Sequence, residues 1–219
     1  MRSAETRNNE PKQERSRISQ AKVVNAASHL LARHGYDGFT LQQVSAESGV
    51  SIGSIYGRFA SKDELVHFIH RNLLDHMDAV HNNLLDAPEW QDMPLFDLVP
   101  PLFDRIAETL RENAPLLRAF MLRAVYDDVI STVGSQSFKG FVSQITALLM
   151  RHAHELQTDQ PEAIFRHCIT SAYSTYGNFL GLGSNRGERR EVDWDWYKAE
   201  TGRMLVSYLV SYGMRGAQG

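Results

Sequence analysis

Residues 39–62 read FTLQQVSAESGVSIGSIYGRFASK, and this stretch decides how the chain is organised. Thr40 can cap a first helix, with Gln43 three residues on to complete a capping box. Leu41, Val44 and Val50 give that unit its apolar side, and Gly49 supplies the left-handed residue on which a helix commonly ends. Ser51 then caps a second helix whose inward residues, Ile55 and Phe59, stand four apart. Helix, glycine turn and capped helix over about residues 40–59 make a helix-turn-helix pattern, in which the second helix enters the DNA major groove.

The second helix is locally poor. Gly53 and Gly57, read as interior positions, each cost about 0.5–1 kcal/mol relative to alanine. A glycine lets a surface approach the backbone closely, and Ser51, Ser54, Tyr56 and Arg58 surround it with donors. Beyond it, Ser61 and Glu64 suggest another capping box, with Asp63 suited to the positive end of a helix. Lys62 is out of place there, since a cation in the first turn opposes the macrodipole. A phosphate at that helix start would relieve it.

The series Val23, Ala27, Leu30, Gly35, Tyr36, Thr40, Val44, Gly49-Val50-Ser51, Gly53, Ile55-Tyr56, Phe59, Ser61-Lys62 and Leu65 resembles the TetR family of transcriptional regulators. Ser45 and Ser48 stand where that family usually carries alanine, and Gly57 where many members carry a larger residue. The resemblance implies a repressor that binds a palindromic double-stranded DNA operator as a homodimer and leaves it when a small molecule binds inside the helical body. On that reading Thr40, Tyr56 and Lys62 meet phosphates. Ser51, Ile52, Gly53, Ser54 and Arg58 approach the groove, arginine being the usual reader of guanine.

Composition agrees with such an assignment without demanding it. The 219 residues are 42% apolar and 22% charged, ordinary values for a globular chain. No apolar run approaches the ~18 residues of a membrane span, and MRSAETRNNEPKQERSR has no apolar centre for a signal peptide. A single cysteine, Cys168, excludes an internal disulfide framework, so a cytoplasmic protein is expected. The net charge of −3 is unevenly spread: residues 1–70 hold nine Lys/Arg and seven Asp/Glu, the remainder fourteen and nineteen. A mildly basic head on an acidic body is the result.

The expected architecture is all-α. Residues 1–16 read as a flexible arm, 17–76 as a three-helix DNA-binding domain, and 77–219 as a larger helical domain for ligand binding and dimerisation. Helices are expected over 17–34 and from Lys62 to about Leu85. The next should break at Pro100-Pro101 and run on to about Glu112. Further helices are expected from Pro115 to Val129, from Ser135 to Leu156, from Pro161 to Leu182, and over 193–212 after a polar loop from Gly183 to Glu191. Ser171, Ser174, Gly177 and Gly181 form a small-residue stripe beside an aromatic-rich last helix, and the resemblance makes these two helices the homodimer interface. Phe103, Phe120, Tyr126, Tyr173 and Tyr176 are the candidate lining for an apolar or amphipathic effector.

Other functions find little support. His67 and His70 share a helix face, but no cysteine or close carboxylate completes a metal set, so these and His76 and His81 read as surface or half-buried residues. No HExxH, P-loop, GxSxG or paired CxxC occurs, and neither enzyme nor cofactor is expected. A DNA-bound regulator without small-molecule input remains the alternative, because motif residues say nothing about a cavity.

Overall fold

The computed structural model describes residues 10–90, 92–182 and 192–213, and among these the chain forms eight α-helices and no strand. Residues 1–9 of the expected arm and the expected loop Gly183–Glu191 lie outside the described residues. The rest of the arm is helical, because α1 spans Glu10–His34. Pro11 in the first turn has no N–H to satisfy, and Lys, Gln, Glu and Arg follow it with good helix propensity.

The head is built from α1, α2 (Leu41–Ser48), α3 (Ile52–Tyr56) and the start of α4 (Lys62–Leu85). Val23, Ala27, Leu31, Phe39, Val44, Ile55 and Leu65 are buried together there, and Phe59 packs on Phe68 with ring centroids 5.5 Å apart. The long helix α4 has the bounds that its apolar periodicity predicts, and it carries the head into the body.

Local rules failed at the prolines. A single helix, α5 (Leu95–Arg123), passes through Pro100, Pro101 and Pro115 without ending. Each interior proline costs ~3 kcal/mol or more. Leu98, Val99, Leu102, Phe103, Ile106 and Leu110 are all buried along the same helix, each contributing about 1.5–3 kcal/mol. Tertiary burial therefore outweighs the lost backbone bonds. The chain turns at Ala124–Asp127 instead, where the Asp127 carboxylate accepts the Ile130 N–H at 3.2 Å and starts α6 (Asp128–Met150). The expected helix 115–129 is thus helical only to Arg123, as the end of α5, and the one expected over 135–156 begins earlier, at Asp128, and ends at Met150.

Helix α7 covers Pro161–Phe179 and α8 Trp194–Val210. The body packs α5 against α8 and α1, and α6 against α4 and α7. On α8, Gly202 lets the backbone come close to α5: a Cβ there would lie 3.7 Å from Pro100. Within the small-residue stripe, a Cβ on Gly177 would lie 3.9 Å from the Leu182 side chain, Ser174 is exposed, and Gly181 lies past the helix end at φ 67°. No described helix is long and apolar enough to cross a membrane.

Candidate nucleic-acid interface and the cavity behind it

Capping holds the helix-turn-helix in shape and leaves its outer surface free. Thr40 Oγ1 accepts the Gln43 N–H at 3.3 Å while Gln43 Oε1 accepts the Thr40 N–H at 2.8 Å. Gly49 takes the left-handed conformation at φ 68°, and Ser45 Oγ donates to the Val50 carbonyl across the turn at 2.7 Å. Ser51 Oγ accepts the Ser54 N–H at 3.3 Å, which starts α3. Thr40, Ser51, Gly53, Ser54 and Tyr56 are exposed, and Ile52 is half-buried.

The two glycines differ from expectation and from each other. Helix α3 ends at Tyr56, so Gly57 caps it in ordinary right-handed conformation and is not an interior residue. A Cβ on Gly53 would find no atom within 4 Å, so nothing within the protein requires glycine there.

Arg58 and Lys62 both turn inward. Arg58 Nη2 donates to Ser16 Oγ on α1 at 3.0 Å, and its Nη1 is buried without a partner. Lys62 Nζ donates to the carbonyls of Tyr36 and, at 2.6 Å, Phe39, and it lies 4.3 Å from the centroids of both rings. Burial lowers its pKa, with Asp37 and Asp63 opposing that effect and Arg123 adding to it. A phosphate is therefore not needed to relieve Lys62: two loop carbonyls and two aromatic faces already do so. The second capping box is also altered, because Glu64 accepts the Ala60 N–H at 2.6 Å, one residue ahead of the Ser61 cap.

Two cations outside the candidate set lie beside the recognition surface. Arg15 and Lys22, one helical face of α1, line an open groove of about 360 Å³ with Gly49, Ser51 and Ser54. Their seven-residue spacing is the available signal, hidden because Arg15 falls in the stretch that reads as a flexible arm and Lys22 in the helix after it.

A polar chain joins head to body beside Lys62. The Tyr36 hydroxyl donates to Asp63, and the Arg123 guanidinium lies 3.7 Å from the Tyr36 ring centroid. Arg123 also reaches Asp63 and Asp127, each at 3.4 Å. His67 Nε2 stands 2.9 Å from the Asp127 carboxylate. Burial and the Asp63 bond push the Tyr36 hydroxyl up to about 12. Burial would raise Asp127, but the bonds from His67 and Ile130, with Arg123 nearby, hold its carboxyl below the usual range.

Behind this junction lies a cavity of about 430 Å³ between α4, α5, α6 and α7. Its walls are His70, Leu74, Leu117, Phe120, Met121, Ala124, Ile130, Gly134, Phe138 and Tyr173, with Ser131, Ser135 and Ser174 toward its rim. Of the candidate residues, Phe120 and Tyr173 stand in its wall. Phe103 is buried in the core outside this lining. Tyr176 is fully buried against Trp194, ring centroids 5.9 Å apart, with its hydroxyl unpartnered. Tyr126 is a correction: it sits 82% exposed on the α5–α6 turn, because α5 ends at Arg123. His70 and His81, read as surface or half-buried, are buried against Phe120 and Phe141 at centroid distances of 4.6 and 4.7 Å. Burial depresses the pKa of both to about 4.

The comparisons agree with this geometry. Residues 23–69 match the model of the bacterial regulatory proteins, tetR family. No curated protein matches the chain. A solved protein from Mesorhizobium loti assigned to the TetR family is 18% identical, with 91% of this chain and 99% of that one covered at a TM-score of 0.69. A transcriptional regulator from Rhodococcus sp. Rha1 is 17% identical over 88% of this chain and 96% of its own, at 0.66. A TetR transcription regulator from Haloarcula marismortui is 17% identical over 90% and 98%, also at 0.66. The likeness to these structures is one of fold.

Proposed function

We propose that the chain, whose residues 23–69 match the model of the bacterial regulatory proteins of the tetR family, is a sequence-specific DNA-binding repressor, released from its operator by a small molecule. The observation that carries the DNA reading is α3 itself. It is a short capped helix presenting Ser51, Gly53, Ser54 and Tyr56 outward, with open space above Gly53 for a base or sugar edge. Thr40 and Tyr56 supply phosphate contacts, as do Arg15 and Lys22 beside Ser51 and Ser54. Arg58 reads a base only after leaving Ser16, and Lys62 acts chiefly by fixing the loop that positions α2.

A helix-turn-helix regulator reads two half-sites through a two-fold dimer. Trp196, Met204 and Val210 on α8 are 53, 50 and 53% exposed, an apolar supply suited to a second copy of the chain. The effector reading rests on the junction. Ala124 and Ile130, which wall the cavity, flank the turn from which Arg123 and Asp127 hold Asp63, Tyr36 and His67. A molecule that shifts this turn shifts the start of α4, and with it the spacing of two heads. Coupling of this kind is typically about 1–3 kcal/mol and reciprocal.

Selection from a random duplex library should return a palindrome. Fluorescence anisotropy should then show specific binding with a steep salt dependence, and sedimentation should show a dimer at micromolar protein. A selection that yields no sequence bound better than its scrambled control defeats the reading.

A further inference from the structure

We propose that the cavity takes an uncharged, ring-bearing molecule carrying one hydrogen-bonding group, which is placed against the imidazole of His70. This rests on the reading of the body as an effector domain and names the chemistry of its ligand. Three aromatic side chains, Phe120, Phe138 and Tyr173, form walls of the cavity, and none of its described lining residues is Asp, Glu, Lys or Arg. A charged group set against His70 and these rings would give up hydration with no counter-charge in the lining, and desolvating an unpaired ion is unfavourable. Polar recognition falls to His70. It is 4% exposed, makes no hydrogen bond within the described residues, and presents Nε2 and Cε1 toward Gly134, where a Cβ would stand 3.8 Å away.

Glycine at position 134 of α6 fits the same purpose. A helix-interior glycine weakens its helix relative to alanine, yet a side chain there meets nothing closer than the His70 ring. The missing side chain is what keeps the space above the imidazole open. His70 stays neutral because burial depresses its pKa to about 4, with His67 and Arg71 adding to that and Asp127 opposing it. It therefore offers one donor and one acceptor nitrogen to a neutral partner.

The test uses four matched probes on the full chain: 4-phenylphenol, biphenyl, biphenyl-4-carboxylate and biphenyl-4-methanaminium, titrated calorimetrically at pH 7. The phenol should bind about tenfold more tightly than biphenyl, the margin of one net hydrogen bond. Both ions should bind at least about a hundredfold more weakly than the phenol. His70→Leu should erase the margin of phenol over biphenyl while biphenyl still binds. Gly134→Leu, with helical content checked by circular dichroism, should lower the affinity of both neutral probes. An ion that binds as well as the phenol overturns the proposal, as does a phenol margin that survives His70→Leu, or no binding by any probe. Operator binding by the unaltered protein is measured in parallel. Probes that fail on a protein that binds its operator refute the ligand chemistry alone. A phenol that binds without weakening the operator complex refutes the effector reading and leaves the site standing.

Discussion

Two lysines far from each other show how differently the head and the body are held. At the head junction, Lys62 is surrounded by dipoles and rings: the Tyr36 and Phe39 carbonyls and the faces of the same two residues. In the body, Lys198 is 9% exposed among carboxylates, with Asp104 at 2.8 Å, Asp195 at 3.2 Å and Glu108 in direct contact. Burial alone would lower both pKa values. It prevails at Lys62, whereas at Lys198 the bonds to Asp104, Glu108 and Asp195 override it and raise the pKa above the ordinary lysine range. Dipoles shelter a cation without cancelling it, and at Lys62 Asp37 and Asp63 add only a coulombic attraction. Carboxylates cancel it, and the result is a rivet between α5 and α8, reinforced by Trp194 Nε1 donating to Glu108 at 2.8 Å.

The rivet should break hardest. Lys198→Met deprives the exposed Asp104 and Asp195, and Glu108 with its remaining Arg111 partner, of the lysine, and should cost about 2–3 kcal/mol in urea unfolding as charge-assisted hydrogen bonds are lost. Lys62→Met forfeits two carbonyl bonds and two cation–π contacts at a half-exposed site, worth about 1–2 kcal/mol together. If Lys62→Met proves the more damaging, the contrast between the two regions is wrong.

The head could be read from the sequence because its signals are local. Thr40 with Gln43, Gly49 and Ser51 each specify a cap within three or four residues, and all three caps form. The body's determinants are remote. Lys198 and Glu108 are separated by 90 positions, so no spacing rule could pair them. Lys62 looked misplaced because carbonyl partners leave no trace in side-chain patterns. The prolines of α5 were read by a local rule that buried area overrode, and that error moved the α5–α6 turn and with it Tyr126. His70 reads as a surface or half-buried residue in the sequence because a histidine on a helix gives no sign of which wall it will form.

A smaller effect separates positioning from contact at Lys62. Were Lys62 a phosphate ligand, Lys62→Met would lower the magnitude of the salt slope of DNA binding by about one per subunit. Held by loop carbonyls, it should instead reduce affinity a few-fold on operator and random duplex alike, with an unchanged slope. Arg123→Ala tests the other end of the junction. Operator affinity should change little, while the weakening of that affinity by a cavity ligand should shrink, since Arg123 links Asp127 to Asp63. A coupling energy that survives Arg123→Ala intact would remove this junction from the route.

The smallest stability change belongs to the surface that faces outward. Gly53 is the second residue of a five-residue helix rather than a helix interior, so Gly53→Ala should gain well under the ~1 kcal/mol of an interior glycine replacement. The added methyl has open space around it, and thermal unfolding should shift upward slightly or not at all. The same methyl would stand where α3 approaches the groove, so operator affinity should fall while random-duplex affinity, set mainly by phosphates, falls less. A protein that is neither destabilised nor impaired by Gly53→Ala does not bring α3 into close contact with DNA. One that is strongly destabilised has a crowded α3, which would contradict the open space above Gly53.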